Sequence, residues 1–191
     1  MEKPQLYFPR DIEWREWLHI NHENHSQGVF LIFYKLEVKV PTMRWEEAVK
    51  VALCYGWIDS TVKSLGDGKR QQYFCRRNPK STWSALNKSY VKQLDSAGLI
   101  HQSGRKTIEL AKKSGTWTAM DAIENLIIPP ELQKAFLKHP LAYKNYQNFA
   151  PGYRKSYLSW LYSAKRDATR EKRISEIIRY CESKIKTRGD W

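Results

Sequence analysis

Hydrophobic and polar positions first follow a helical period. Trp14, Trp17 and Leu18 fall at i, i+3 and i+4, which is the apolar stripe of an amphipathic helix. Asp11 is a suitable N-cap for this helix, and the polar segment after His22 predicts its end. The chain is therefore predicted to begin with a short helix that buries two tryptophans.

The period then changes to that of strands. The predicted strands cover residues 28–37, 57–65 and 70–76. Gly66-Asp67-Gly68 supplies a hairpin turn between the last two. Between the first two, a helix is predicted to start at Thr42 as its N-cap and to stop at Gly56. We therefore predict a small, mainly antiparallel sheet of about three strands that packs against two helices.

From Pro79 onward the pattern is helical, and Pro129-Pro130 is the best candidate boundary. The predicted helices cover residues 84–97, 104–114, 131–139, 142–149, 153–165 and 169–184. The predicted fold class is α+β, with an α+β region at residues 1–128 and a helical C-terminal region at residues 129–191. We expect the two regions to pack together as one compact unit.

The positive charge lies in the later part of the chain. The 191 residues carry 33 Lys and Arg against 20 Asp and Glu, a formal net charge of +13. Residues 1–65 carry 8 basic and 9 acidic residues, whereas residues 66–191 carry 25 and 11, so their net charges are −1 and +14. This asymmetry favours an anionic partner, such as nucleic acid, a phosphorylated small molecule or an acidic protein. Scattered, solvated lysines that only increase solubility are the alternative.

Several function classes lack their usual sequence signals. No apolar run approaches the about 18 residues of a membrane span, and the N-terminus has no signal-peptide pattern, so we expect a cytoplasmic protein without membrane contact. The three cysteines have no CxxC spacing, and Cys54 and Cys75 are expected to be buried structural thiols. Glycine-rich phosphate loops, GxSxG and HExxH are also missing from the sequence, and we predict no cofactor.

His19, His22 and His25 have a spacing that metal ligands can have. His25 falls beyond the predicted helix end, however, and no pair of cysteines or carboxylates stands at a ligand-like spacing. We therefore predict no metal site and interpret the histidines as helix-end residues that form local hydrogen bonds.

The segment at residues 76–87 combines charge, hydroxyl groups and an indole at a predicted helix start. Backbone N–H groups and the positive end of the helix dipole favour an anion there, and the indole can stack on a base or a sugar. In the alternative interpretation, Ser81 or Thr82 is only an N-cap, the tryptophan belongs to the core and the arginines are solvated. The residues predicted to bind the anion are Arg76, Arg77, Lys80, Ser81, Trp83 and Asn87.

A second basic and aromatic segment covers residues 159–173. Arg170 and Arg173 lie one helical turn apart and can converge on one anion, with Lys165 at the end of the preceding helix. Alternatively, Lys165 and Arg166 bond the last carbonyl groups of their own helix.

Four sequence blocks form a recognisable pattern: Gly56-Trp57-Ile58-Asp59, Arg76-Arg77-x-Pro79-Lys80-Ser81-x-Trp83-Ser84, Gly115-x-Trp117 and Trp160-x-x-x-Ala164-Lys165. With these blocks the chain resembles the YdeI/OmpD-associated family, also described as bacteriocin-protection-like proteins. The resemblance covers residues from about 14 to 180, and Ser60 stands where the family pattern has glycine. It implies a small bacterial cytosolic protein, with the helices after Pro130 as the family's own domain, and no particular reaction.

The blocks also place Trp57 and Asp59 on a strand next to the basic segments. Asp59 is expected to pair with Arg76, Arg77, Lys165 or Arg170 and to line one concave site with them. The leading hypothesis is a protein that binds an anionic partner, with nucleic acid as the first partner class. One alternative is an enzyme that acts on a small phosphorylated or carboxylated substrate with Asp59 as acid or base. The other is a protein-interaction module in stress or bacteriocin protection.

Overall fold

A computed structural model of the chain describes residues 3–25 and 27–187. The chain divides into two compact units, Met1–Ala119 and Met120–Trp191. This division falls before Pro129-Pro130, so that the residues just ahead of the prolines belong to the second unit. The first unit holds a sheet and helices and the second holds helices, which confirms the α+β class. No helix within the described ranges is long and apolar enough to cross a membrane.

A four-stranded sheet forms one layer of the first unit. Its strand order is β1-β2-β4-β3, with β1 parallel to β2 and the other neighbours antiparallel. The strands are β1 (Gln5–Tyr7), β2 (Val29–Tyr34), β3 (Trp57–Gly66) and β4 (Lys69–Arg76). The sequence pattern predicts the last three strands. It misses β1, because three residues are too short to show a period.

Four helices belong to the same unit, and α1 and α2 pack on one face of the sheet. Trp14 on α1 contacts Phe74 of β4 edge-to-face, with 5.7 Å between ring centroids. Its Nε1 donates a hydrogen bond to the Ala48 carbonyl oxygen of α2 at 3.2 Å. The helices are α1 (Asp11–Asn21), α2 (Trp45–Cys54), α3 (Ala85–Ser96) and α4 (Gln102–Ser114), with a 3₁₀ turn at Leu36–Val38.

The second unit is built from helices around an aromatic and aliphatic core. Phe136, Tyr146 and Tyr157 are almost fully buried there. The last helix contacts three of the others, which makes it the centre of the packing. The helices are α5 (Asp121–Glu124), α6 (Pro130–Lys138), α7 (Pro140–Asn148), α8 (Pro151–Tyr162) and α9 (Asp167–Glu182).

The helix starts differ from the predicted ones in their caps. Asp11 is the first helical residue rather than the N-cap, and its carboxylate lies in the favourable first turn. Thr42 precedes α2 by three residues, and its Oγ1 instead accepts a hydrogen bond from the Tyr34 N–H at 3.2 Å. Ser84 is the N-cap of α3 and accepts from the Asn87 N–H at 3.2 Å, so neither Ser81 nor Thr82 has that role.

Candidate anion-binding site

The first unit contains a small polar cavity of about 180 Å³ in which several predicted and unpredicted residues meet. Four segments form it: the end of α1, the turn between α2 and β3, the residues after β4 and the first turns of α4. The lining residues are His22, Glu23, Tyr55, Gly56, Trp57, Arg76, Arg77, Ser103 and Thr107.

Two glycines bring these segments close together. Gly56 has a φ of +74°, and a Cβ there would lie 2.5 Å from Thr107 Oγ1. A Cβ on Gly104 would lie 2.3 Å from the Cys54 carbonyl oxygen. The Gly56 carbonyl oxygen also accepts from the Arg77 N–H at 2.9 Å, which ties the residue after β4 to the turn. The cavity wall is therefore made from backbone segments that only glycine allows to approach.

His22 is a buried polar side chain of the cavity with an unused ring nitrogen. Its Nδ1 lies 2.8 Å from the Leu18 carbonyl oxygen and therefore carries the proton, whereas its buried Nε2 has no hydrogen-bond partner. Glu23 Oε1 lies 3.7 Å from that Nε2, and 76% of the Glu23 side chain is exposed. The His22 carbonyl oxygen accepts from Trp57 Nε1 at 3.1 Å and from Arg76 Nε at 2.9 Å. Arg76 is thus held at the cavity by its Nε.

Arg77 is a buried cation beside the same cavity. It is 8% exposed, its guanidinium carbon lies 3.8 Å from the centroid of the Trp83 ring, and its Nη2 donates to the Thr82 carbonyl oxygen. Its Nε is buried without a partner. Burial lowers the pKa of Arg77 to about 10, although the negative charge of Asp59 acts in the opposite direction. Within the described residues, no carboxylate lies within 4.0 Å of this guanidinium.

The start of α4 adds hydroxyl groups and a partial positive charge. Ser103 Oγ donates to the Tyr55 carbonyl oxygen at 3.2 Å, and Thr107 Oγ1 donates to the Ser103 carbonyl oxygen at 3.0 Å. The aligned peptide dipoles of this 13-residue helix favour negative charge near its N-terminus. In the part of the chain that the structure describes, no group of three or more His, Cys, Asp or Glu is placed to hold a metal ion. The cavity therefore combines two arginine side chains, two hydroxyl groups and a helix start.

The structure brings together only part of the site predicted for the first unit. Arg76, Arg77 and Trp57 line the cavity, but Trp57 is fully buried. Trp83 is 1% exposed and packs on Trp117, with 4.9 Å between ring centroids, so neither face of its ring is open to a base. Trp83 therefore supports Arg77 rather than contacting a ligand directly.

The remaining predicted residues of this unit lie outside the cavity lining. Asp59 Oδ2 accepts hydrogen bonds from Trp45 Nε1 at 2.9 Å and from Gln72 Nε2. No ion pair within 4.0 Å joins Asp59 to an arginine or lysine of the described ranges. Lys80 and Ser81 are exposed in the turn before α3, and Asn87 lies in the first turn of that helix.

The predicted residues of the second unit have partners within that unit. Arg170 forms an ion pair with Glu131, and Arg173 donates to the Trp160 carbonyl oxygen and to Ser163 Oγ, the latter at 2.7 Å. Both arginines thereby tie α9 to α6 or α8. Lys165 is exposed between α8 and α9. Since these three residues belong to a different unit from Arg76 and Arg77, one shared site remains a prediction.

Six residues of the cavity lining, among them His22, Ser103 and Thr107, are not among the predicted ligand-binding residues. His22 stands out in the sequence only as part of a histidine run, and Ser103 and Thr107 give only an i, i+4 pair near the start of a helix. These residues can be recognised as a group only in the structure, because α1 and α4 are far apart in the sequence.

The fold and the cavity define a two-unit α+β protein with a cation-lined pocket in its first unit. The chain belongs to the family of the domain of unknown function DUF8412, whose model matches residues 6–107, more than half of its length. Residues 125–184 match the family described as bacteriocin-protection, YdeI or OmpD-associated, which confirms the predicted resemblance for that region. The blocks around Asp59 and Arg77 lie within the DUF8412 match instead. No curated protein and no solved structure gave a significant match.

Proposed function

We propose that the first unit binds a small anionic ligand through a carboxylate or phosphate group placed in the cavity. The observation that carries this proposal is Arg77, a buried guanidinium without a carboxylate partner among the described residues. Burying a charge is costly unless an opposite charge compensates it, and a bound anion would supply that charge.

The size of the cavity favours a small ligand over a strand of nucleic acid at this position. A volume of about 180 Å³ accommodates one charged group with a short substituent. The predicted stacking residue Trp83 is packed against Trp117 and Arg77 and offers no face to a base. Asp59 is held by Trp45 and Gln72, so the proposal concerns binding and assigns no acid or base role to Asp59.

Titration of the protein with inorganic phosphate and, separately, with acetate tests this proposal by NMR. We expect the arginine Nε and histidine ring signals of the cavity to shift in a saturable way. Arg76→Gln should weaken the binding about tenfold, which corresponds to one charge-assisted hydrogen bond. Arg10→Gln is the matched control, because Arg10 is exposed and paired with Glu13 on α1. Shifts that do not saturate, or that are equally weakened in both variants, would contradict the proposed site.

A further inference from the structure

We propose that the sheet face opposite α1 and α2, here called the open sheet face, binds single-stranded nucleic acid. The strand register assigns the residues of this face, because directly paired residues of neighbouring strands point to the same side. Its central residues are Gln5, Tyr7, Phe30, Ile32, Tyr34, Lys63, Lys69, Gln71 and Tyr73.

The core of the first unit uses the other side of the sheet. Val29, Leu31 and Phe33 of β2 belong to the buried cluster together with Trp14 and residues of α2. Phe30, Ile32 and Tyr34 alternate with them and are not part of that cluster. Ile32 is 8% exposed and Phe30 and Tyr34 are half-buried, so the open sheet face presents partly exposed rings around a buried centre.

The rings on this face pack against one another, and two of them are anchored through their hydroxyl groups. Tyr7 and Tyr34 are edge-to-face with 5.4 Å between centroids, and Phe30 and Tyr73 are tilted at 5.2 Å. The Tyr7 hydroxyl donates to the Pro41 carbonyl oxygen, and the Tyr73 hydroxyl donates to the Gln27 carbonyl oxygen. Tyr7 remains 38% exposed. Rings that are fixed in this way lose little conformational entropy when a base stacks on them.

Cations lie next to the rings, and no strand position on this face carries an acidic residue. The Lys3 Nζ lies 4.0 Å from the Tyr73 centroid, and the Lys69 Nζ lies 5.7 Å from the Tyr34 centroid. Lys63 is exposed and stands opposite Gln71 in the register. Lys3 and Lys69 lie over ring faces, and a bound strand would draw these flexible side chains to its phosphates while its bases stack on the rings.

The centre of the face also holds a polar group without a partner. Gln71 is 9% exposed, and its buried Oε1 accepts no hydrogen bond. A base that displaces a neighbouring side chain would supply the missing donor from its amino group. Stacking requires bases whose faces are accessible, which a double helix does not offer. The ligand class is therefore single-stranded RNA or DNA rather than duplex.

Fluorescence anisotropy with labelled single-stranded RNA and DNA of about 12 nucleotides tests the inference. We expect saturable binding at low salt and an affinity that falls linearly on a logarithmic salt scale. Tyr34→Leu should weaken binding about tenfold through loss of one stacked base. Lys63→Gln should lower the salt slope by about 0.7. Lys106→Gln on α4 is the control for the loss of one lysine, and thermal melting verifies that Tyr34→Leu folds.

The same assay separates this inference from the proposed anion pocket. Arg76→Gln and saturating inorganic phosphate at constant ionic strength should leave oligonucleotide affinity unchanged if the open sheet face is the binding surface. The inference would be overturned if duplex bound as tightly as single strands and Tyr34→Leu bound with unchanged affinity. Binding would then depend on positive charge alone and not on stacking. Absence of binding at low salt would overturn it as well.

Discussion

Arg77 in the first unit and Arg170 in the second are both stacked near aromatic rings, at 3.8 Å from the Trp83 centroid and 5.6 Å from the Tyr162 centroid. Their partners differ. Arg170 pairs with Glu131 within its own unit, whereas Arg77 is buried without a carboxylate partner in the described ranges. Two basic and aromatic segments that look equivalent in the sequence thus have different electrostatics. An arginine cluster indicates a candidate anion site only where the fold leaves its charge uncompensated.

The largest expected difference between the two regions concerns the aromatic rings below the arginines. Trp83→Ala should lower the free energy of unfolding by about 3–5 kcal/mol, because it removes a ring that is 1% exposed. Tyr162→Ala should cost only about 1 kcal/mol, because the ring below Arg170 is 38% exposed. Chemical denaturation of both variants measures these losses. Equal losses would mean that the two arginines rest on equivalent supports.

The second prediction uses ligand stabilisation to separate the two arginines. If the cavity binds phosphate, a concentration of 100 times Kd should stabilise the wild-type protein by about 2.7 kcal/mol. Arg77→Met should abolish this stabilisation, whereas Arg170→Met should retain it because Arg170 already has Glu131 as its counter-ion. Thermal melting with and without phosphate measures the stabilisation of each variant. Loss of the phosphate effect in both variants would contradict the distinction.

The smallest expected effect is the acid response of Glu131. Burial tends to raise the pKa of Glu131, but its own backbone N–H and Arg170 outweigh burial, and the pKa is lower than usual. A carboxyl group whose pKa is depressed by folding stabilises the protein above its unfolded pKa, and this contribution disappears as pH falls through the folded value. Glu131→Gln should therefore remove part of the stability loss below about pH 4.5. Denaturation curves that keep the full acid response in this variant would contradict the assignment.

Much of the fold could be predicted from sequence because its signals are local. The hairpin of β3 and β4 follows from alternation on both sides of Gly66-Asp67-Gly68, α9 follows from its apolar period, and the end of α4 follows from Gly115. The strand β1 could not be predicted, because it is defined by parallel pairing with β2 rather than by a period of its own.

Only the positive charge of the candidate site could be predicted from the sequence. Arg76 and Arg77 were identified because they are adjacent in the chain, whereas His22 and Ser103 join them only through the packing of α1 and α4. The burial of Trp83 depends on Trp117, which follows it by more than thirty residues. The ion pair of Arg170 with Glu131 could not be predicted for the same reason, since Glu131 lies on a different helix, α6. Sequence therefore shows which side chains are charged, and non-local packing decides which charges stay uncompensated.

The prolines that begin α6, α7 and α8 have a consequence for folding kinetics. The helices α7 and α8 follow the preceding helix after one and two residues, and proline presets the first helical φ, so these turns of the second unit are encoded locally. The first unit must instead pair Gln5 with Phe30 and Val29 with Phe74 before its sheet exists. Because loop closure slows the formation of such contacts, the helical unit should fold faster than the sheet unit.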